Sequence, residues 1–380
     1  MLVANKIMAS VKGDRAIWAI FVLLSLFSIL AVYSATGTLA HLNKEGNTEA
    51  YLIKHFGILV VGMLITWLFH RIHYKRFANW APMMLALSVP LLLFTVLMGA
   101  DINDARRWIM IPGTGLTFQS SDFAKLALIV YVARSISARQ EYIKDFKNAF
   151  LPIILPVLLI CLLIAPANFS TAFLLFFVCI LMMIVGRVDI RFIGLLMLLG
   201  IVGFGLLLLL GQVFPGFVRV DTWVTRISDF IEKPDEVYQV VQSKIAIANG
   251  GWLGEGPGNS IQRNYLPSPY SDYIYAIICE EYGVVGGAVL IGIYLFLFFR
   301  IIRLVTKSSK AFGAMVALGL SLLLVIQAYL NIGVAVNLLP VTGQTLPMVS
   351  MGGTSILFTC VAFGILLSVS KYMEAVSENE

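Results

Sequence analysis
The chain has 380 residues, of which 59% are apolar and only 13% charged, and its mean hydropathy is +0.90. A soluble domain carries about a quarter charged residues, so this chain cannot cover a water-facing surface and its solvent is mostly lipid. Its net charge of +6 sits largely in short loops that would face anionic headgroups, which gives no reason to invoke nucleic acid as a partner.

A hydrocarbon core of about 30 Å needs about 20 apolar helical residues. Stretches of this kind predict membrane helices near residues 16–36, 51–69, 80–99, 118–136, 149–165, 171–186, 192–211, 273–299, 313–336 and 353–370. The expected fold is an all-α integral membrane protein of ten spans, one polytopic domain over 1–380, with one large extracytoplasmic loop at 212–272. Most of the 27 basic residues fall in alternate short loops, among them Arg71, Lys75 and Arg76, then Arg134, Arg139, Lys144 and Lys147, then Arg300, Arg303, Lys307 and Lys310. Cytoplasmic loops are enriched in Lys and Arg, so both termini are expected inside and the 212–272 loop outside. The first apolar run is too long for a cleavable signal and lacks an A-x-A-like site, so it reads as a retained span.

Cys161, Cys179, Cys279 and Cys360 stand singly in apolar helices, with no metal-ligand spacing and no disulfide framework. His70 and His73 form an H-x-x-H pair inside the basic stretch HRIHYKRF, which reads as a headgroup-facing loop.

The outer segments carry more. Residues 101–125 place Arg106, Arg107 and Trp108 together, either as an interfacial anchor or as part of a site. Asp122 and Lys125 are three residues apart on one helix face inside a span, so they form either a structural ion pair or a cavity wall. Residues 166–170 make a tight polar turn at Asn168 and Ser170. The stretch 331–353, NIGVAVNLLPVTGQTLPMVSMGG, is broken by Pro340, Pro347 and several glycines and is expected to dip back toward the membrane. Within the long loop, 224–231 and 237–248 read as short amphipathic helices. The glycines at 250, 251, 254, 256 and 258 lack the preceding strand of a nucleotide fingerprint, and instead permit tight turns and close backbone approach. Asp272 stands where this polar loop meets the next apolar helix. With Ser271 it fits a helix N-cap, and the alternative is a working acid.

Three blocks in order, Arg107-Trp108-Ile109 with FQSSDFAKL, then GGWLGEGPGNSIQRNYLPSPYSDYIYAIICEEYGVVGG, then NIGVAVNLLPVTGQTLPMVSMGGTS, resemble the SEDS family (shape, elongation, division and sporulation), whose branches include RodA and FtsW. The resemblance spans the second helix to the last. It implies a ten-helix inner-membrane protein that polymerises lipid II into glycan strands from an undecaprenyl-diphosphate-linked donor, and it matches Asp272 to the family's essential acid. Gln344-Thr345-Leu346-Pro347 and Gly258-Asn259-Ser260 are closer to the division branch, FtsW, which implies action at the septum beside a class B penicillin-binding transpeptidase and other divisome membrane proteins. The chain departs from the family pattern at Ser120 and Asp122 (commonly Pro and Glu), at Asn168-Phe169-Ser170-Thr171 (often Asp-Leu-Gly-Thr), at Tyr270-Ser271-Asp272-Tyr273 (His-Thr-Asp-Phe) and at Met351 (Tyr). The acids at 272 and 122 are kept. Asn168 has lost a charge and carries no catalytic weight.

The chemistry agrees with one acid. Joining an acceptor hydroxyl to an α-linked donor with a β outcome is a single inverting displacement. A diphosphate leaves without the second carboxylic acid that glycoside hydrolysis needs. One base and some cations suffice. Asp272 is expected either as that base or as a ligand of a divalent cation, Mg2+ or Mn2+. Arg106, Arg107, Lys125 and Arg263 are the expected diphosphate partners, with Lys244 and Arg226 behind them, and Trp108 and Asp122 lining the cavity. Glu280 and Glu281, deeper in the same helix, read as interhelical hydrogen-bonding groups. A flippase for a lipid-linked sugar, an elongation-type polymerase and a non-catalytic scaffold are the alternatives. A transporter would place its charges at midplane and show repeated halves, and no internal repeat is evident.

Overall fold
The structure, a computed structural model, describes residues 12–37, 48–102, 105–111, 116–213, 220–232, 236–308 and 310–377. Twelve helices are described, numbered here α1 (Arg15–Ala35), α2 (Thr48–Arg71), α3 (Lys75–Met98), α4 (Ser120–Ala138), α5 (Leu151–Ile164), α6 (Phe169–Val185), α7 (Ile190–Val213), α8 (Val220–Glu232), α9 (Tyr238–Gly250), α10 (Ile274–Thr306), α11 (Ala311–Ala335) and α12 (Thr354–Ser377). A helix occupies each of the ten stretches read as spans. Seven are long and apolar enough to cross a membrane on those grounds alone, α5 when taken with the π-helical turn Phe146–Phe150 that leads into it, and α6 and α7 contribute shorter apolar stretches. The remaining one, α4, carries Asp122, Lys125 and Arg134, which lower its hydropathy, yet most of its residues are buried inside the bundle.

Packing ranks the helices. α11 is buried along most of its length and runs through the centre with α4, whereas α2 and α3 expose most of theirs. The exposed residues there are large and apolar, such as Ile53, Leu64, Met83 and Leu97, as a lipid solvent allows. α2 and α12 pack closely because Gly62 and Gly364 let the backbones approach. A Cβ on Gly62 would meet the Cys360 sulfur at 2.6 Å, and Thr66 Oγ1 donates to the Cys360 carbonyl at 3.0 Å. At the start of α1, Asp14 caps the helix through Ala16 N (2.8 Å), accepts from Arg300 of α10, and donates its own N–H to Ser370 Oγ of α12 (3.0 Å).

Two features differ from the sequence reading. First, the outer segment before α4, for which the sequence suggests no element, is regular. It forms a three-stranded antiparallel sheet, β1 (Ala100–Ile102), β2 (Ala105–Ile111) and β3 (Leu116–Gln119), in the order β1-β2-β3. The strands are too short to show periodicity above the apolar background. Their stability comes from docking on α12, where Thr354 Oγ1 donates to Thr117 O (3.0 Å) and Phe118 packs edge-on against Phe358.

Second, the expected span 273–299 is a broken helix. Gly283 has φ 67° and ψ −173°, and separates a first half up to Tyr282 from a second half beginning at Val284. Only glycine fits here, because a Cβ would lie 2.2 Å from the Trp252 carbonyl oxygen. Ser271 and Tyr294 flank the break, and both bond to the short stretch 347–350 (Ser350 Oγ to Ser271 O, 2.6 Å; Tyr294 Oη to Pro347 O, 2.6 Å). A straight helix would hold its own Ile274 and Tyr294 about 30 Å apart. The first half therefore turns across the bundle, and every residue from Ile274 to Glu281 is buried.

The glycine loop 250–258 is strapped to this break. Glu255 N and Gly256 N donate to the carbonyls of Glu280 and Glu281 (2.9 and 3.0 Å), and Val284 N returns to Gly251 O (2.9 Å). These bonds satisfy the main-chain groups that the break frees. A Cβ on Gly250 would stand 1.9 Å from Cys279 O and one on Gly254 2.2 Å from Glu281 O, so these two serve close backbone approach, while Gly251, Gly256 and Gly258 supply the positive φ of the turns. Glu280 accepts from Ser260 Oγ and from the N–H groups of Ile261 and Gln262 (both 3.2 Å), and Glu281 accepts from Ser34 Oγ. Both acids are buried and act as fasteners for the loop.

Candidate functional site
Asp272 lies just before Tyr273, the residue that caps the broken half-helix of α10, so the positive end of a helix dipole points toward it. The stretch between α11 and α12 folds back against it without helical structure. Its irregular main chain is satisfied by side chains of the bundle: Gln327 Nε2 to Thr345 O (2.9 Å), Asn331 Nδ2 to Gln344 O (2.7 Å), Tyr294 Oη to Pro347 O, and Ser28 Oγ to Val349 O (2.9 Å). Irregular backbone at membrane depth survives only when protein satisfies it in this way. The same stretch grips the Asp272 loop. Ser350 Oγ donates to Ser271 O, Met351 N donates to Tyr270 O (2.9 Å), and Asn331 Nδ2 donates to Asp272 O (2.8 Å).

The Asp272 carboxylate is half-buried and accepts from Ser271 Oγ at 2.9 Å. Burial pushes it above the usual aspartate range. The Ser271 hydroxyl and the guanidinium charges of Arg107 and Arg226 pull it part of the way back. The carboxylate is thus tuned upward, in the direction that makes a better proton acceptor at neutral pH.

A cavity of about 210 Å³ opens nearby; Asp272 is not part of its lining, but Arg107 and Arg226 of that lining act on its carboxylate, and Gly343, which follows the lining residue Thr342, stands against Asp272 Oδ2. Its polar lining is Arg107, Arg226, Asn168, Ser170, Thr222 and Thr342, and its apolar lining includes Phe169, Phe173, Trp223, Leu330 and Leu339. β2 delivers Arg107, whose Nε donates to Ala167 O (2.8 Å) in the α5–α6 turn. Amphipathic α8 delivers Arg226, whose Nη1 donates to Val341 O (3.0 Å). α8 is held down by Trp223 against Phe169, with ring centroids 4.7 Å apart. Thr342 Oγ1 is buried and takes no hydrogen bond within the described protein. Two cations and an apolar wall next to a carboxylate suit a ligand with an anionic head and a hydrocarbon tail.

The other expected site residues are distributed unevenly. Trp108 is half-buried in β2, paired across the sheet with Ala100 and Gln119, one residue from Arg107. Arg106 lies in β2 opposite Asp101, and its side chain is outside the described part. Asp122 and Lys125 form a buried ion pair (2.8 Å), and Lys125 Nζ also reaches Gln327 Oε1 (3.4 Å). They line a separate cavity of only about 20 Å³ with Leu323 and Phe358. Arg263 is drawn off to α1, where Nη1 donates to the Ser34 carbonyl and hydroxyl (both 3.2 Å) beside Glu281, and it does not line the Arg107 cavity. The loop strapped to the break of α10 fixes it there. Lys244 is half-buried on α9 and does not line that cavity either. Asn168 lines the cavity and caps α6 through Thr171 N (3.2 Å). Arg226, placed behind the others on sequence, stands at the front, because amphipathicity shows which face of α8 is polar but not what that face meets.

Among the described residues no three His, Cys, Asp or Glu side chains gather to hold a metal. A divalent cation at Asp272 would therefore take most of its oxygens from a substrate and one carboxylate from the protein, a set that suits Mg2+.

This arrangement defines a class first: multi-pass membrane proteins whose polar groups sit in a cavity at one end of a helix bundle. Residues 14–375 match the cell cycle protein family that groups FtsW, RodA and SpoVE, and the chain belongs to that family. Among relatives, it is 34% identical to a probable peptidoglycan glycosyltransferase FtsW of Geobacter metallireducens over 96% of both chains. It is 30% identical to the stage V sporulation protein E of Bacillus subtilis, over 94% of this chain and 97% of that one. The fold matches a chain in a structure of a peptidoglycan synthase complex that coordinates polymerization and crosslinking (TM-score 0.71, 24% identity, 95% of this chain and 98% of that one). It also matches the rod shape determining protein RodA of Thermus thermophilus (TM-score 0.66, 21% identity, 94% and 96%).

Proposed function
We propose that this protein is a peptidoglycan glycosyltransferase that polymerises lipid II into glycan strands at the outer face of the cytoplasmic membrane, in septal wall synthesis. The observation that carries the reading is the half-buried Asp272 near an apolar cavity bearing Arg107 and Arg226. FtsW-named relatives at 30–34% identity over nearly the whole chain support the reaction and the division branch.

In the proposed reaction the acceptor sugar's 4-hydroxyl attacks the donor's anomeric carbon. Its proton passes to Asp272 as the new C–O bond forms. The bond from the anomeric carbon to the diphosphate breaks, and the electron pair leaves with the lipid diphosphate. Arg107 and Arg226 stabilise that developing charge, and the N-terminus of the broken half-helix adds a favourable dipole. The apolar wall receives part of the lipid. In the alternative role Asp272 would be the protein's ligand to a divalent cation, Mg2+ or Mn2+, which would supply charge neutralisation for the leaving diphosphate.

The membrane is the bacterial cytoplasmic one, with both termini on the cytoplasmic side and the chain enriched at the division septum. A class B penicillin-binding transpeptidase is the proposed partner, together with other divisome membrane proteins. The likeness to a chain of a synthase complex that couples polymerization to crosslinking supports that pairing.

The test supplies purified protein, alone and with its transpeptidase, with labelled lipid II and Mg2+ or Mn2+. Glycan strands from the wild type and none from Asp272→Ala are expected. Movement of lipid II across liposomes without chain growth would replace the reading with a flippase, whose folds also use broken helices.

A further inference from the structure
α11 buries two amide side chains one turn apart on one face, Gln327 (5% exposed) and Asn331 (1% exposed). A buried amide inside a membrane bundle is costly unless bonded, and these two are spent on the working end of the molecule. Gln327 Nε2 donates to Thr345 O, and Asn331 Nδ2 bridges Gln344 O and Asp272 O. They are rungs of one ladder. It holds two consecutive carbonyls of the folded-back stretch and ties the second rung to the main chain of the acid.

The Asp122–Lys125 pair sits at the far end of this ladder. An ammonium group can only donate, so Lys125 Nζ against Gln327 Oε1 fixes which end of that amide faces it and turns Nε2 toward Thr345. Asp122 Oδ1 holds Lys125 from the other side. The ammonium is thus committed to protein partners beside a cavity too small for more than about one water.

We infer that Lys125, Gln327 and Asn331 are positioning residues: the Asp122–Lys125 pair orients the Gln327 amide, the two amides set Asp272 in register with residues 344–345, and Lys125 works through Gln327 rather than on the substrate. The inference rests on the reaction proposed above, in which about 1 Å of misplacement can cost on the order of 100-fold in rate.

The test measures kcat and KM for lipid II polymerisation in Lys125→Met, Gln327→Met, the double variant and Asn331→Asp, beside wild type and Asp272→Ala, with melting temperature in detergent as the folding control. Each single variant is expected to lose about tenfold or more in kcat while KM stays within about twofold. The double variant should be no worse than the poorer single one, because both break the same chain. A large rise in KM for Lys125→Met that Gln327→Met does not share would overturn the inference, and so would additive losses or wild-type kcat in Asn331→Asp. Gln327→Glu, which keeps shape but loses the donor to Thr345, replaces Gln327→Met where that variant fails to fold. Polymerisation by Asp272→Ala would instead remove the reaction assignment itself, so the two failures are distinguishable.

Discussion

Gly343 leaves its space to Asp272. A Cβ built on Gly343 would stand 3.7 Å from Asp272 Oδ2, and the glycine holds φ +65°, a left-handed conformation that costs other residues about 1–2 kcal/mol. Gly343→Ala should therefore lower stability by about 1 kcal/mol and place a methyl in van der Waals contact with the carboxylate, filling the space beside Oδ2. Thermal unfolding and a polymerisation assay on the same preparation read the two effects. Unchanged activity would show that the space beside Oδ2 is not used.

Asp272→Asn separates activity from stability. Loss of the base should reduce polymerisation by at least about 100-fold. The folded protein holds this carboxyl above its ordinary range, so the folded state binds the proton more tightly than the unfolded one. Its contribution to stability is full below the unfolded pKa and is lost as pH rises through the folded pKa. At neutral pH the neutral amide should thus melt higher than the wild type. Wild-type activity should rise with pH through a midpoint above the usual aspartate range. A lower melting temperature for Asp272→Asn at pH 7 would contradict this account.

Arg226→Gln should weaken substrate binding. A charge-assisted bond to a phosphate oxygen is worth about 1.5–3 kcal/mol, so KM should rise by about tenfold or more, with a further loss in kcat. Arg263→Gln, whose guanidinium is engaged with Ser34, should leave KM close to the wild-type value. Steady-state kinetics with lipid II distinguishes them.

Gly283→Ala attacks the break in α10. The added methyl would sit 2.2 Å from the Trp252 carbonyl in a conformation that L residues rarely adopt. A loss of about 2 kcal/mol or more is expected, visible as poor folded yield on size-exclusion chromatography.

Asp14→Ala tests the opposite end of the bundle. It removes a helix cap and leaves Arg300 without its carboxylate, which should cost about 2 kcal/mol in thermal unfolding while leaving KM unchanged.

Much of the fold was legible because a membrane span announces itself by length and hydropathy. The ten stretches, the two short helices of the long loop and the turn and close-approach roles of its glycines all follow from local rules. The small sheet at 100–119 escaped because its strands have three, seven and four residues, and their stability comes from docking on α12. Asp272 was legible from its place at a polar–apolar junction and from the family blocks around it. Its neighbours were less so. Arg107 and Arg263 look alike in sequence, yet one lines the cavity and the other is tied to α1. Gln327 and Asn331 left a signal, two amides one turn apart in an apolar helix, that pointed to no particular partner.

By itself the sequence determined the solvent, where the apolar helices lie, the family, and the place of Asp272 at a polar–apolar junction. Those properties follow from composition and from neighbours in the chain. Only the tertiary structure decided which cations share that acid's field, that α10 breaks at Gly283 and turns across the bundle, and that the 336–353 stretch closes against Asp272. These are contacts between residues tens to hundreds of positions apart. They are set by which buried polar groups can satisfy one another once lipid has replaced water around the bundle.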